Sequence, residues 1–261
     1  MDQLWVGTIV RNEGPYLAEW IEFHRLQGVD HFVLFNDNST DETVTVLEKY
    51  IRIGLVEYGP GIYQNSAQNA ILKMARGRTE WLALIDADEF LFATEGERLP
   101  EVLPTYAAWP AVAVCWLLFG TSHHLCSPGL TTEHYVWRAF DTFNEHRQAK
   151  LIVQPTRCAR MIDSHQVEVG SQTSWVIDEA FRRVRGAHAP RATHEVFRIN
   201  HYFSRSLHEC LQKWQRGYNR RGIGVDSQGK RRWWQVMHLV RNDVRDVTIQ
   251  RHLPALRAAL K

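Results

Sequence analysis

The chain has 261 residues and a mass of 30.4 kDa, enough for one large domain or two small ones with a substantial core. Hydrophobic residues make up 44% and charged residues 23%, ordinary globular proportions that exclude a disordered chain, a coiled coil or collagen. Formal net charge is only +2, yet residues 205–261 carry 13 Lys/Arg against 4 Asp/Glu, so the preceding residues are acidic.

In chain order, Leu4 to Val10 reads as an apolar strand. It starts without the basic and hydrophobic regions of a secretory leader, so a cytoplasmic protein is expected. Gly14-Pro15 opens a helix with Leu17, Trp20, Ile21 and His24 on one stripe, and Gly28 closes it. His31 to Phe35 is a second strand. The polar loop Asn36 to Glu42 follows, in which Ser39 and Glu42 have capping-box spacing. The helix it starts carries Val44, Leu47 and Ile51 at helical spacing. Leu55 to Tyr58 resumes a strand, and Gln64 to Ala75 reads as a third helix. Trp81 to Ile85 is a short apolar strand that ends in Asp86-Ala87-Asp88-Glu89.

Strands alternating with helices of this length predict βαβ units and a parallel sheet. Ligands of such sheets bind beyond the carboxyl ends of the strands. Three polar clusters fall at those ends: Arg11-Asn12-Glu13, Asn36 to Asp41, and Asp86 to Glu89. Two carboxylates one residue apart repel each other unless a cation or several donors lie between them. Turn-capping aspartates are the plain alternative, but the strand-end context favours a Mg²⁺ or Mn²⁺ site.

Farther along, Ala111 to Phe119 reads as a buried strand and Gly120 to Gly129 as a loop. The longest mainly apolar run, Trp109 to Phe119, is too short to span a bilayer, which takes about 20 residues. Four scattered cysteines and thirteen histidines form neither a CxxC pair nor an HExxH site. Near the end, Val236, Val240, Val244 and Val247 suggest one helical stripe, interrupted by Pro254. Lys230-Arg231-Arg232-Trp233-Trp234 combines cations with aromatics, a pattern that suits an anionic membrane surface as well as nucleic acid, with a solvated helix face as the plain alternative.

Taken as an ordered series, these motifs resemble one family. Val6 to Glu13, the Asn36–Asp41 loop and Glu80-Trp81-Leu82-Ala83-Leu84-Ile85-Asp86-Ala87-Asp88-Glu89-Phe90-Leu91 look like glycosyltransferase family 92 and its bacterial family 2-like relatives. Trp116 to Gly120, Lys150 to Pro155, His165, His201-Tyr202, Ser206, Lys213 and Arg216-Gly217 continue the match, which covers roughly residues 4–220. The resemblance implies an α/β fold of the GT-A type: a Rossmann-like sheet with helices on both faces over residues 1–204, and a basic helical extension over 205–261.

It also implies a metal-dependent transfer of sugar from a nucleotide-sugar donor to a glycan or lipid-linked acceptor, with inversion, in surface polysaccharide or lipopolysaccharide synthesis. Mn²⁺ or Mg²⁺ is the expected cofactor. Arg11, Asn12, Glu13, Asp37, Asn69 and Asp86 are expected at the donor, and Asp86, Asp88 and His201 at the metal. Glu133 is nominated first and Asp141 second as the base. No nucleic-acid partner is expected; for the basic tail, peripheral contact with an anionic membrane and plain solvation both stay open. The alternative is a binding protein of the same fold without catalysis. The acidic pair is expected in an exposed loop, so that changing Asp88 should affect apo stability little.

Overall fold

The structure is a computed structural model, and it describes residues 1–61, 64–96, 98–170, 175–216 and 233–261. Four parallel strands form its first half: β1 (Asp2–Val10), β2 (His31–Asn36), β3 (Val56–Pro60) and β4 (Thr79–Leu84), ordered β3-β2-β1-β4. The crossovers are α1 (Gly14–Leu26), α2 (Thr43–Arg52) and α3 (Gln64–Ala75). Strand side chains alternate between faces, and the core divides accordingly. Leu4, Val6 and Val10 join Phe32, Leu34, Ala83 and the α1 residues Leu17, Trp20 and Ile21 in one cluster. Trp5, Val33, Leu82 and Leu84 pack on Ala67, Ile71 and Ala75 of α3 in another. Helices thus cover both faces, as expected.

Glycine matters at two places in this frame. A Cβ on Gly7 would lie 2.4 Å from Ile71, so its absence lets α3 close on β1. Gly28 ends α1 with φ near +90°, a conformation that costs a glycine little.

The second half adds β5 (Glu89–Ala93), α4 (Leu99–Val102), β6 (Ala111–Leu118), α5 (Thr131–His134), β7 (Trp137–Arg138) and β8 (Ala149–Val153). After them come β9 (Cys158–Asp163), β10 (Gln166–Val169), β11 (Ile177–Asp178), β12 (Phe197–His201), α6 (Leu207–Arg216), α7 (Trp233–Leu239), β13 (Val244–Arg245) and α8 (Leu253–Ala259). The sheet continues from β4 as β8-β6-β12-β5, with β11 on β6, giving nine strands among the described residues. β8 is antiparallel to both neighbours, and β5 is antiparallel to β12. β6 and β12 therefore run in the direction of β4.

Several local expectations change. Ser39 and Glu42 form no capping box: α2 starts at Thr43 with Glu42 at its N-cap, the Ser39 hydroxyl accepts the Asn12 N–H (3.0 Å), and Asp41 accepts the Thr43 N–H (3.0 Å). Ser39 lies three residues before that N-cap, too far to reach the first helical N–H groups, and holds the loop after β1 instead. On α2 the buried residues are Thr43, Leu47 and Tyr50, while Val44 and Ile51 are exposed. The large Tyr50 ring, not β-branched neighbours, fills the space against α1. The valine stripe is not one helix. Val236 lies in α7, Val244 in β13 paired with β7, and Val247 is exposed. Pro254 does not interrupt a helix; it occupies the first turn of α8, where its missing N–H is harmless.

The described residues after 204 pack against the rest. Asp246 receives Arg138 (2.8 Å) and Arg198, and α8 buries Leu256 in the cluster that contains α1. The cationic stretch Lys230, Arg231 and Arg232 lies outside the described residues, as do the side chains of Trp233 and Trp234.

Candidate active site

Topology alone gathers the polar clusters. β1, β2, β4, β6 and β12 all end at one sheet edge, so Arg11, Asp37, Asp86 and His201 emerge together. The antiparallel strands bring their beginnings to that edge. Leu84 is opposite Leu151, which puts Lys150 beside Asp86, and His201 is opposite Glu89. Helix α1 fixes the start of β5: the Trp20 indole donates to the Glu89 carbonyl (2.8 Å), and the Leu91 N–H donates to His24 Nε2 (3.1 Å). Burial pushes the His24 pKa down to about 3, so the ring is a neutral strut.

The acidic turn is not an exposed pair. Asp88 is buried, and Glu89 is fully so. Lys150, also buried, places Nζ 2.8 Å from Asp86 Oδ2 and 3.6 Å from Glu89 Oε1. Glu89 Oε2 accepts the Asp86 N–H (2.8 Å), while Oε1 accepts no hydrogen bond. Burial, aided by Asp86 and Asp88, raises the Glu89 pKa well above the usual carboxylate range despite Lys150. Burial also works against ionised Asp88, but Lys213, His201 and Arg205 outweigh it and hold its pKa well below that range. Asp86 is lowered too: Lys150 outweighs its burial and the neighbouring Asp88.

Lys213 of α6 pairs with Asp88 Oδ2 (2.5 Å), and His201 Nε2 is 3.6 Å from Oδ1. The Tyr202 N–H donates to the Asp88 carbonyl (2.8 Å), strapping the end of β12 to the turn. Trp116 lies against His201, ring centroids 4.3 Å apart, and His165 packs on its edge. Arg205 closes the other side, donating to Glu13 (2.8 Å) and the Ala87 carbonyl (3.3 Å) and stacking on Tyr16.

The loops after β1 and β2 interlock. Asn12, at φ 54°, accepts the Thr40 N–H (2.7 Å), and Arg11 faces Asp37 at 3.7 Å. Arg11, Asn12, Glu13, Asp37, Asp86, Asp88 and His201 thus share one edge. Asn69 instead clasps β9, exchanging two hydrogen bonds with the backbone of Met161 (2.9 and 3.0 Å). Glu133 pairs with Arg257 of α8, and its backbone carbonyl accepts from Gln250. Asp141, strongly exposed, pairs with Arg138 (2.7 Å). Neither partner belongs to the acidic cluster. Sequence reasoning did not assign roles to Glu89, Lys150 or Arg205. A lone lysine opening the apolar run Ala149–Val153 was the available signal.

Ligand atoms of Asp88, Glu89 and His201 lie within 4.8 Å of one another. Asp86 is outside this triple, its carboxylate turned to Lys150. His201 Nδ1 and Glu89 Oε1 are buried without hydrogen bonds. Two carboxylates and an imidazole are a donor set that fits a divalent ion such as Mn²⁺. Binding would draw the proton from Glu89, because metal ligands must be deprotonated.

A family model for glycosyltransferase family 92 matches residues 8–223. A family 92 protein of Oryza sativa subsp. japonica is 32% identical over 111 residues, 41% of this chain and 19% of that protein. One from Ricinus communis is 30% identical over 105 residues, 39% and 19%. The chain thus matches 19% of the length of each of these curated relatives. Among solved structures, S. aureus TarS 1–349 in complex with UDP has a TM-score of 0.40 and 16% identity over 59% of this chain and 47% of that one. A 4-diphosphocytidyl-2C-methyl-D-erythritol synthase from Anaerococcus prevotii has a TM-score of 0.35 and 13% identity over 59% and 70%.

Proposed function

The chain belongs to glycosyltransferase family 92, and from that premise we propose that it transfers a sugar from a nucleoside-diphosphate sugar to a glycan or lipid-linked acceptor, with inversion, in surface polysaccharide or lipopolysaccharide synthesis. The observation that carries this reading is the convergence of Asp86, Asp88, Glu89 and His201 at the carboxyl edge of a parallel sheet, beside the Arg11–Asp37 loop pair. Asp88, Glu89 and His201 would hold Mn²⁺ or Mg²⁺, which when bound neutralises charge on the departing nucleoside diphosphate.

The remaining roles belong to the chain's own groups. Arg11, Asn12 and Asp37 line the nucleoside side, where Asp37 accepts ribose or base donors. Asp86 is half open to solvent, so it can accept a donor hydroxyl while Lys150 keeps it ionised. Glu13 orients Arg205 across the turn. In this reading Asn69 contributes to the donor side through its hold on β9. Glu133, or failing it Asp141, takes the acceptor proton. The Arg257 side chain holds the Glu133 pKa below its ordinary range, so that pair must open before Glu133 accepts a proton. Among the described residues no helix is long and apolar enough to cross a membrane. The proposal puts the protein in the cytoplasm, meeting anionic lipid through Lys230, Arg231 and Arg232.

The test is a thermal-shift panel of nucleoside diphosphates and sugar nucleotides with and without Mn²⁺. Specific ligands stabilise the native state according to occupancy. A shift that needs both a nucleotide and Mn²⁺ supports the reading; no shift with any pair contradicts it.

A further inference from the structure

Three cations border the acidic turn, and they are held very differently. Lys150 is 1% exposed and engaged by two carboxylates. Arg205 is 8% exposed, bonded to Glu13 and the Ala87 carbonyl, and stacked on Tyr16. Both side chains are almost fully enclosed, so neither can swing out into solvent. Lys213 is 26% exposed and reaches Asp88 from the rim on a flexible four-carbon stem. Its ammonium also donates to the Phe203 carbonyl (3.3 Å) and lies over the Phe203 ring, 4.5 Å from its centroid.

Its position matters because of what it covers. Asp88 Oδ2 is the oxygen facing Lys213, while Oδ1 faces His201. Glu89 Oε1 and His201 Nδ1 are buried without hydrogen bonds. The ammonium therefore occupies a carboxylate that belongs to the triple of metal-type ligands. A divalent ion bound to the same carboxylate would lie close to the ammonium and repel it strongly.

We propose that Lys213 is a tethered cation that holds Asp88 in the empty enzyme and is displaced when a divalent ion binds, so that it lowers the affinity of the site for free metal. This deepens the reading under Proposed function and rests on it. The consequence is regulatory: metal alone must break the Lys213–Asp88 pair, whereas metal arriving with a diphosphate brings an anion that the displaced ammonium can face. Free metal is then taken up weakly, and uptake with the donor is favoured.

The experiment is calorimetric titration of Mn²⁺ alone into the wild type, Lys213→Met and Lys213→Arg. Methionine keeps the stem over Phe203 and removes the charge. Lys213→Gln replaces it should the methionine variant melt early. The neutral variants should bind Mn²⁺ about two- to fivefold more tightly, the range expected for losing one partly exposed ion pair. Lys213→Arg should stay near the wild-type value. Equal or weaker Mn²⁺ binding by the neutral variants, with binding retained in the wild type, overturns the role of Lys213 alone. Absence of Mn²⁺ binding in every variant overturns the metal site itself, and the proposal with it.

Discussion

Replacing Lys150 by methionine removes the one buried ammonium shared by Asp86 and Glu89. Taking one partner from a buried ion pair costs about 3–5 kcal/mol. Two features reduce that figure here. The Asp86 side chain is 45% exposed and can turn to water, and Glu89 already favours its protonated form. A cost of about 2–3 kcal/mol is therefore expected. At about 2–4 °C per kcal/mol for a chain of this size, Tm should fall by roughly 4–12 °C. The sign of the pH dependence is fixed as well. Without the ammonium both carboxyl pKa values in the folded state rise, so the deficit is present at neutral pH and shrinks as pH falls through those raised values. Melting curves of wild type and Lys150→Met from about pH 7.5 down to about pH 5.5 measure this. A drop below about 2 °C at neutral pH, or a gap that does not change with pH, would refute the buried-cation argument.

Asp246→Asn should cost about 3 kcal/mol, because Arg138 and Arg198 lose their shared carboxylate; urea melts read it directly. Those arginines hold the Asp246 pKa well below its ordinary range against the effect of burial, so the wild type's advantage over the variant should fade as pH drops below about 4. Glu133→Gln should leave donor binding intact and reduce turnover by roughly 10²–10⁴, with retained activity there and loss in Asp141→Asn moving the base role to Asp141. Changing Lys230, Arg231 and Arg232 together to Ser should abolish salt-sensitive co-sedimentation with anionic vesicles; wild-type protein that shows no preference for anionic over neutral lipid removes the membrane reading.

Much of the fold was legible because periodicity is local. The helix over Gln64–Ala75 and the strand–helix alternation before it were written in the spacing of apolar residues, and parallel pairing follows from the crossovers. The polar strand ends then fall at one edge by geometry. The electrostatics of the site were not legible, since they depend on distant insertions. Lys150 meets Asp86 across 64 residues through β8, inserted antiparallel between β4 and β6, and Lys213 meets Asp88 across 125 from α6, which follows β12. For that reason Asp88 and Glu89, expected in an exposed loop, are instead buried and internally paired, while Asp86 stays half exposed beside Lys150. Asp88→Asn should accordingly have some effect on apo stability. The valine spacing after residue 235 misled for a related reason: four residues matched a helical period by coincidence across a helix, a strand and the irregular segments beside them.

The central claim is that Asp88, Glu89 and His201 form a divalent-cation site serving a nucleoside diphosphate. The most direct measurement is isothermal titration of wild type and Asp88→Asn with the nucleoside diphosphate that gives the largest thermal shift, each with Mn²⁺ and with EDTA. The account predicts Mn²⁺-dependent binding to the wild type that is lost in Asp88→Asn while the variant still melts cooperatively. Equal binding by both proteins, or wild-type binding unchanged by EDTA, would contradict it.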